Sequence, residues 1–337
     1  MEKPLFLAII IGGLTTIGYT VPLGFWWLLL MRIIWGSCWS VLRAEGYTNA
    51  LTLSKEHNRG KILAIYQTIT RVGSGGGVLV GGFLADIIGM PKTFMIYGLI
   101  TLAGLIPFYI ALAGKDFPKD KENEPFRKSS DGDKTRTAGS SDIKTFLKNN
   151  SLIWYGAFAI TMTEQMITNL TGRLVVDRII PGSALAIGAA SMTGVLLGFR
   201  TFSTLAIVPL MGVLNDKLGR KMVMLYTLFI EIIILALFPL SSNWLVLCII
   251  LSVQFMTAVS ARLGIYVLAG DRAAVNNNRG DRALYMNRFA TFVDIGTSLG
   301  PIVAYSLYST VGFNFVILLG ISVLTPLIYL ILKKQIR

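Results

Sequence analysis

The sequence predicts an all-α membrane protein built from two similar halves. Three observations carry that prediction. Ten apolar runs are each long enough to cross a bilayer. Positive charge is concentrated in alternate connections between them. A pattern of polar and small residues in the first half returns in the second, offset by about 220 residues.

The runs fall at 4–21, 23–42, 61–85, 93–113, 151–170, 187–211, 222–240, 244–268, 284–308 and 311–332. Each spans a hydrocarbon core of roughly 30 Å when helical. Within lipid the backbone must satisfy its own hydrogen bonds, so helices and not open strands are expected. Composition agrees: hydrophobic residues make up 53% and charged residues 15%, against roughly a quarter charged in soluble domains, and mean hydropathy is +0.64.

The net charge of +13 could suggest nucleic acid, but its distribution argues otherwise. With the N-terminus in the cytoplasm, 22 of the 31 Lys and Arg lie in cytoplasmic segments; Lys92, Arg173 and Arg178 lie outside and six lie within spans. That asymmetry orients a multi-pass protein with both termini cytoplasmic, and it explains the basic balance without a nucleic-acid partner. Cys38 and Cys248 both sit in spans and His57 is the one histidine. No disulfide framework, metal-ligand spacing or nucleophile–base arrangement is offered, so neither an enzyme nor a cofactor protein is indicated.

Residues 114–150 form the hydrophilic break, mixing Lys, Arg and acids with Ser, Gly and Pro, and read as a cytoplasmic linker between 1–113 and 151–337. The halves correspond. Arg43, Tyr47 and Asn58-Arg59-Gly60 match Arg262, Tyr266 and Asn278-Arg279-Gly280, and Gly73, Gly77 and Gly81 match Gly296 and Gly300. Four runs precede the linker and six follow. At the same offset the first half would begin roughly 70 residues before Met1, room for two further helices. The expectation is therefore a twelve-span protein lacking its first two helices.

Several motifs bear on function. Gly212-Val213-Leu214-Asn215-Asp216-Lys217-Leu218-Gly219-Arg220-Lys221 lies between the sixth and seventh runs. It resembles the loop motif G-x-x-x-D-x-x-G-R-[KR] of the major facilitator superfamily, and it falls in one of the two places where that family carries it. Lys3-Pro4-Leu5-Phe6-Leu7 resembles the tail of the other copy. Arg32-Ile33-Ile34-Trp35-Gly36 resembles the family's motif B, whose arginine is associated with proton-coupled steps. Ala64, Gly73, Gly77, Val78, Gly81 and Gly82 follow the antiporter-associated motif C, with Ala64 and Val78 replacing its first Gly and its Pro; Gly296, Gly300 and Pro301 retain the Gly-Pro pair. The same glycines also read as close helix packing.

The resemblance implies a facilitator-type helical bundle with ten of twelve transmembrane helices present. It further implies a monomer in the plasma membrane that binds a small solute and protons and works by alternating access, with Gly212, Asp216, Gly219, Arg220 and Lys221 as a cytoplasmic gating loop. Proton-coupled antiport is the leading expectation. Import of a sugar or organic anion, or a non-transporting remnant, are the alternatives.

Charged side chains at mid-bilayer cost about 2.5–3.5 kcal/mol each on insertion scales, so those in the spans are expected to face protein or water. They are Arg32, Arg43, Glu45, Arg71, Glu164, Arg200, Glu231, Arg262, Arg288 and Asp294. By the family's topology nine lie on helices bordering the cavity, and Glu231 departs from that rule. Glu45, Glu164 and Asp294 are candidate proton sites, with Arg32, Arg43, Arg71, Arg200 and Arg262 as partners or anion anchors. Each also reads as a buried ion pair holding helices in register.

Overall fold

The computed structural model describes residues 2–52, 59–113, 150–181, 187–274 and 279–335. The expected linker lies almost wholly outside these residues, as do His57, Asn58 and Asn278. Among the described residues all regular structure is helical. The order is α1 Glu2–Gly18, α2 Phe25–Thr52, α3 Arg59–Ile88, α4 Met90–Ala103, α5 Leu105–Ala113, α6 Ser151–Leu174, α7 Ala189–Leu218, α8 Arg220–Leu237, α9 Trp244–Ala274, α10 Arg279–Thr310 and α11 Phe313–Gln335. A π-helical turn, Val175–Ile179, extends α6.

Helix lengths depart from the apolar runs for physical reasons. The predicted run 93–113 appears as α4 and α5, separated at Gly104. Pro107 has no N–H for the carbonyl of Ala103, and its ring crowds that carbonyl, so the helix is interrupted there. Elsewhere helices outlast the hydrophobic stretch: α2 continues to Thr52 and α9 to Ala274, because polar residues propagate a helix into water as readily as apolar ones do in lipid.

Among the described residues, six stretches are long and apolar enough to cross a membrane by length and composition: Phe25–Gly46, Ala64–Ile88, Met90–Pro107, Ala189–Leu218, Trp244–Ala274 and Phe313–Lys333. Helix α6 is not among them although it is the most buried. Its Thr161, Thr163, Glu164, Gln165 and Asn169 lower its hydropathy. A helix surrounded by other helices has no need of an apolar surface all round.

Two compact units are present. Met1–Thr70 and Phe83–Thr137 belong to the first; Arg71–Gly82 and Ala138–Arg337 belong to the second. The middle of α3 thus groups with the second unit. In the first, α1 packs on both α2 and α4. The α1–α4 seam is glycine-lined: a Cβ on Gly13 would lie 3.2 Å from the Gly98 carbonyl oxygen, and one on Gly98 2.9 Å from that of Gly13. The Trp27 indole N–H donates to the Gly18 carbonyl (2.8 Å), joining α2 to the end of α1.

The second unit holds the larger core, with Met166, Leu170, Met224, Leu228, Phe255 and Phe289 among its fully buried side chains. Its closest pairing is α6 with α10. Gly296 and Gly300, one turn apart, let the backbones meet: a Cβ on Gly300 would fall 2.7 Å from the Met162 carbonyl oxygen. Trp154 stacks against Phe292 at 5.5 Å, Thr161 donates to the Val293 carbonyl (3.2 Å), and Tyr305 donates to the Asn169 carbonyl (2.7 Å).

Candidate functional site

Three helices of the second unit bring charges together. Glu164 on α6 is 1% exposed. Its Oε1 accepts from Arg200 Nη2 of α7 at 2.5 Å and lies 3.2 Å from Arg262 Nη1 of α9. Its Oε2 is buried without a hydrogen-bond partner among the described residues, as is Arg200 Nε. The guanidiniums are more exposed than the carboxylate, 20% and 31%. One carboxylate between two arginines leaves an excess positive charge on the open side of the cluster, and Arg geometry suits a carboxylate or phosphate ligand there.

A second polar cluster lies in the same unit. Glu231 on α8 is 2% exposed and is flanked by Gln254 and Thr257 of α9. The family's topology would turn this helix towards lipid, but the side chain points inward, at α9. The signal in the sequence was Gln254 and Thr257 themselves, polar residues three apart and so on one face of their helix.

The other candidate cavity charges lie on α2, α3 and α10. Asp294 is exposed on α10, two residues before Gly296 and so on the side of the helix turned from α6. Arg71 is half-buried on α3. On α2, Arg32 and Arg43 are exposed and Glu45 is partly buried, with its Oε2 lacking a hydrogen-bond partner among the described residues. Arg32 lies over the Trp35 ring at 5.2 Å, and Trp35 stacks on Trp39 at 5.8 Å with planes 4° apart. Arg32, Trp35, Gly36, Trp39 and Arg43 therefore form a stripe on one face of α2. The aromatic pair within it went unremarked in the sequence, although its four-residue spacing marks it.

The glycine motifs divide by role. A side chain on Gly36, Gly73, Gly77 or Gly212 would meet open space, so the close packing expected at Gly73 and Gly77 is absent. Gly82, next to Gly81 on α3, instead meets the Ala190 backbone of α7, and a Cβ on Gly194 would lie 2.9 Å from the Val78 carbonyl oxygen. Ser191 donates to Gly82 O at 3.5 Å across the same seam. Gly296 and Gly300 pack as described, and Pro301 follows inside α10.

In the loop between α7 and α8, Gly219 has φ 84° and ψ 135°, a conformation open to essentially glycine alone. The ion pair runs from Arg220 to Asp271 on α9, so the partner of Arg220 is not Asp216, which lies exposed with Lys221. An open groove of about 560 Å³ is lined by Asn215, Asp216, Gly219, Arg220, Lys221 and Leu268, among others. The turn has a counterpart: Asp86-Ile87-Ile88-Gly89 repeats the Asp-x-x-Gly spacing of Asp216–Gly219, and Gly89 has φ 86° where α3 gives way to α4. The shared spacing was visible in the sequence and was not singled out there.

A family model described as Major Facilitator Superfamily matches residues 2–199 and, in a second segment, 179–335. No curated protein matches the chain.

Proposed function

The chain belongs to the Major Facilitator Superfamily and is a membrane transporter of that type; from this premise we propose that it carries a small organic anion together with protons by alternating access. The observation that carries the reading is Glu164, whose Oε1 faces Arg200 and Arg262 while Oε2 has no partner among the described residues. An anion that engages either guanidinium takes a counter-charge away from Glu164. The carboxylate, buried and left with less compensation, then binds a proton at Oε2. By linkage the proton strengthens anion binding in return. Positive coupling of this kind is symport. A cationic substrate would meet the excess positive charge of the same cluster.

Antiport is the second reading. It draws on the motif C resemblance and on the close α3–α7 packing at Gly82 and Gly194. The charge asymmetry of the connections supports cytoplasmic termini.

Reconstituted protein tests the coupling. In proteoliposomes, uptake of radiolabelled organic anions from a panel is expected to accelerate under an imposed inward proton gradient. Glu164→Gln should keep anion exchange while losing that acceleration. Gradient-driven uptake by Glu164→Gln at the wild-type rate refutes the role of Glu164; a wild-type protein that moves organic cations against protons instead establishes antiport.

A further inference from the structure

Glu231 has no place in that mechanism, yet its surroundings are those of a site that binds a proton. Its Oε1 accepts from Gln254 Nε2 at 3.0 Å, and its Oε2 contacts the Thr257 hydroxyl. The same hydroxyl lies 3.0 Å from the backbone carbonyl of Gln254. A hydroxyl has one hydrogen to give, and an ionised Glu231 competes for it with that carbonyl. With a proton on Glu231 Oε2 the count closes: the acid donates to Thr257 Oγ1, and Thr257 donates to the Gln254 carbonyl. When the proton leaves, the hydroxyl can turn from that carbonyl to the carboxylate. The Thr257 hydroxyl therefore has an acceptor in each state, while Gln254 Oε1 stays buried without a hydrogen-bond partner among the described residues.

The charges around it favour the neutral state. From the elements packed against α8, α9 presents the uncharged Gln254 and Thr257 and α11 presents Leu324. On α6, Glu164 follows Thr163, and its carboxylate is engaged by Arg200 of α7 and Arg262 of α9. A carboxylate this buried that lacks a cation of its own carries a large desolvation cost.

Beside it lies a cavity of about 10 Å³ bounded by Glu231, Thr163 of α6 and aliphatic side chains. Thr163 Oγ1 is buried and without a hydrogen-bond partner among the described residues. The space is of the order needed by one water, and two polar groups are the minimum such a water requires.

We propose that Glu231, Gln254, Thr257 and Thr163 form a second proton-binding site, with Glu231 protonated at neutral pH and one water between it and Thr163. The role in transport rests on the proton-coupled reading above; occupancy by a proton does not. The site and the Glu164 cluster meet on α6, at the consecutive residues Thr163 and Glu164.

Infrared spectroscopy of the full-length protein in lipid vesicles tests it. The C=O stretch of a protonated carboxylic acid is expected in the wild type at neutral pH, shifted in deuterated buffer, retained in Glu164→Gln and absent in Glu231→Gln. Thr163→Val should displace the band by removing the water's second partner. A wild-type minus Glu231→Gln spectrum without that band at neutral pH overturns the proposal. If Glu231→Gln does not reach the membrane, Thr257→Val replaces it: loss of the accepting hydroxyl should move the band to higher wavenumber, and an unmoved band overturns the proposal equally. The band reports Glu231 whether or not Glu164 couples transport, so each reading can fail alone.

Discussion

At the scale of single residues, Glu164 is held unequally by its two partners. Arg200 is the closer and the more enclosed of the pair. Replacing a guanidinium by an ammonium keeps the charge but loses the fork that can serve a carboxylate and a ligand together. Arg200→Lys is therefore expected to slow anion uptake on the order of tenfold, the equivalent of about 1.4 kcal/mol, and more than Arg262→Lys does; initial rates in proteoliposomes measure both. Gly219 is a separate case, since its strain is backbone and not charge. Gly219→Ala should destabilise the protein by about 1–3 kcal/mol, read as a lower midpoint in thermal unfolding, with Gly212→Ala close to wild type because its neighbourhood is open. Each charge of the Glu164 cluster was identifiable in the sequence from its place in an apolar run. Their convergence was not, because the three lie on different helices far apart in the chain and only packing brings them together.

At the scale of the helix, the α6–α10 seam is the most exacting contact in the second unit. The atoms facing Gly296 and Gly300 are chiefly backbone, namely Phe158 O, Met162 N and O, and Met166 N. Backbone cannot rotate out of the way as a side chain can. Gly300→Ala is expected to cost about 1–3 kcal/mol through overpacking and to lower the yield of folded protein in detergent, as measured by size-exclusion chromatography; Gly73→Ala and Gly77→Ala should be tolerated. Glycine spacing alone made these positions look equivalent. It reports where close approach is possible, whereas the partner helix decides where it occurs. Helix ends were similarly half-legible. Hydropathy marks the portion of α2 and α9 suited to lipid and is silent about the polar turns that continue them.

At the scale of the whole chain, family membership rests on a match that extends through nearly all of it, and the helical fold follows from ten apolar runs that appear as helices. Charge asymmetry makes the orientation testable. In a Cys38→Ala/Cys248→Ala background, Ser242→Cys in the loop after α8 is expected to react with a membrane-impermeant maleimide on intact cells. Lys217→Cys should react only once the cells are permeabilised. The reverse pattern would invert the topology. The midsection of α3, Arg71–Gly82, groups with the second unit, an arrangement hidden from a reading that divided the chain at its hydrophilic break. Sequence separation says little about which helices share a core when small residues permit contact at a distance along the chain.

Thr163 and Glu164 are neighbours on one rod, and their side chains leave it about 100° apart. The first borders the Glu231 cavity and the second meets the two arginines. Rolling α6 about its own axis by any amount would advance both together, so the two proposed proton sites would share a common clock without any side chain having to bridge them.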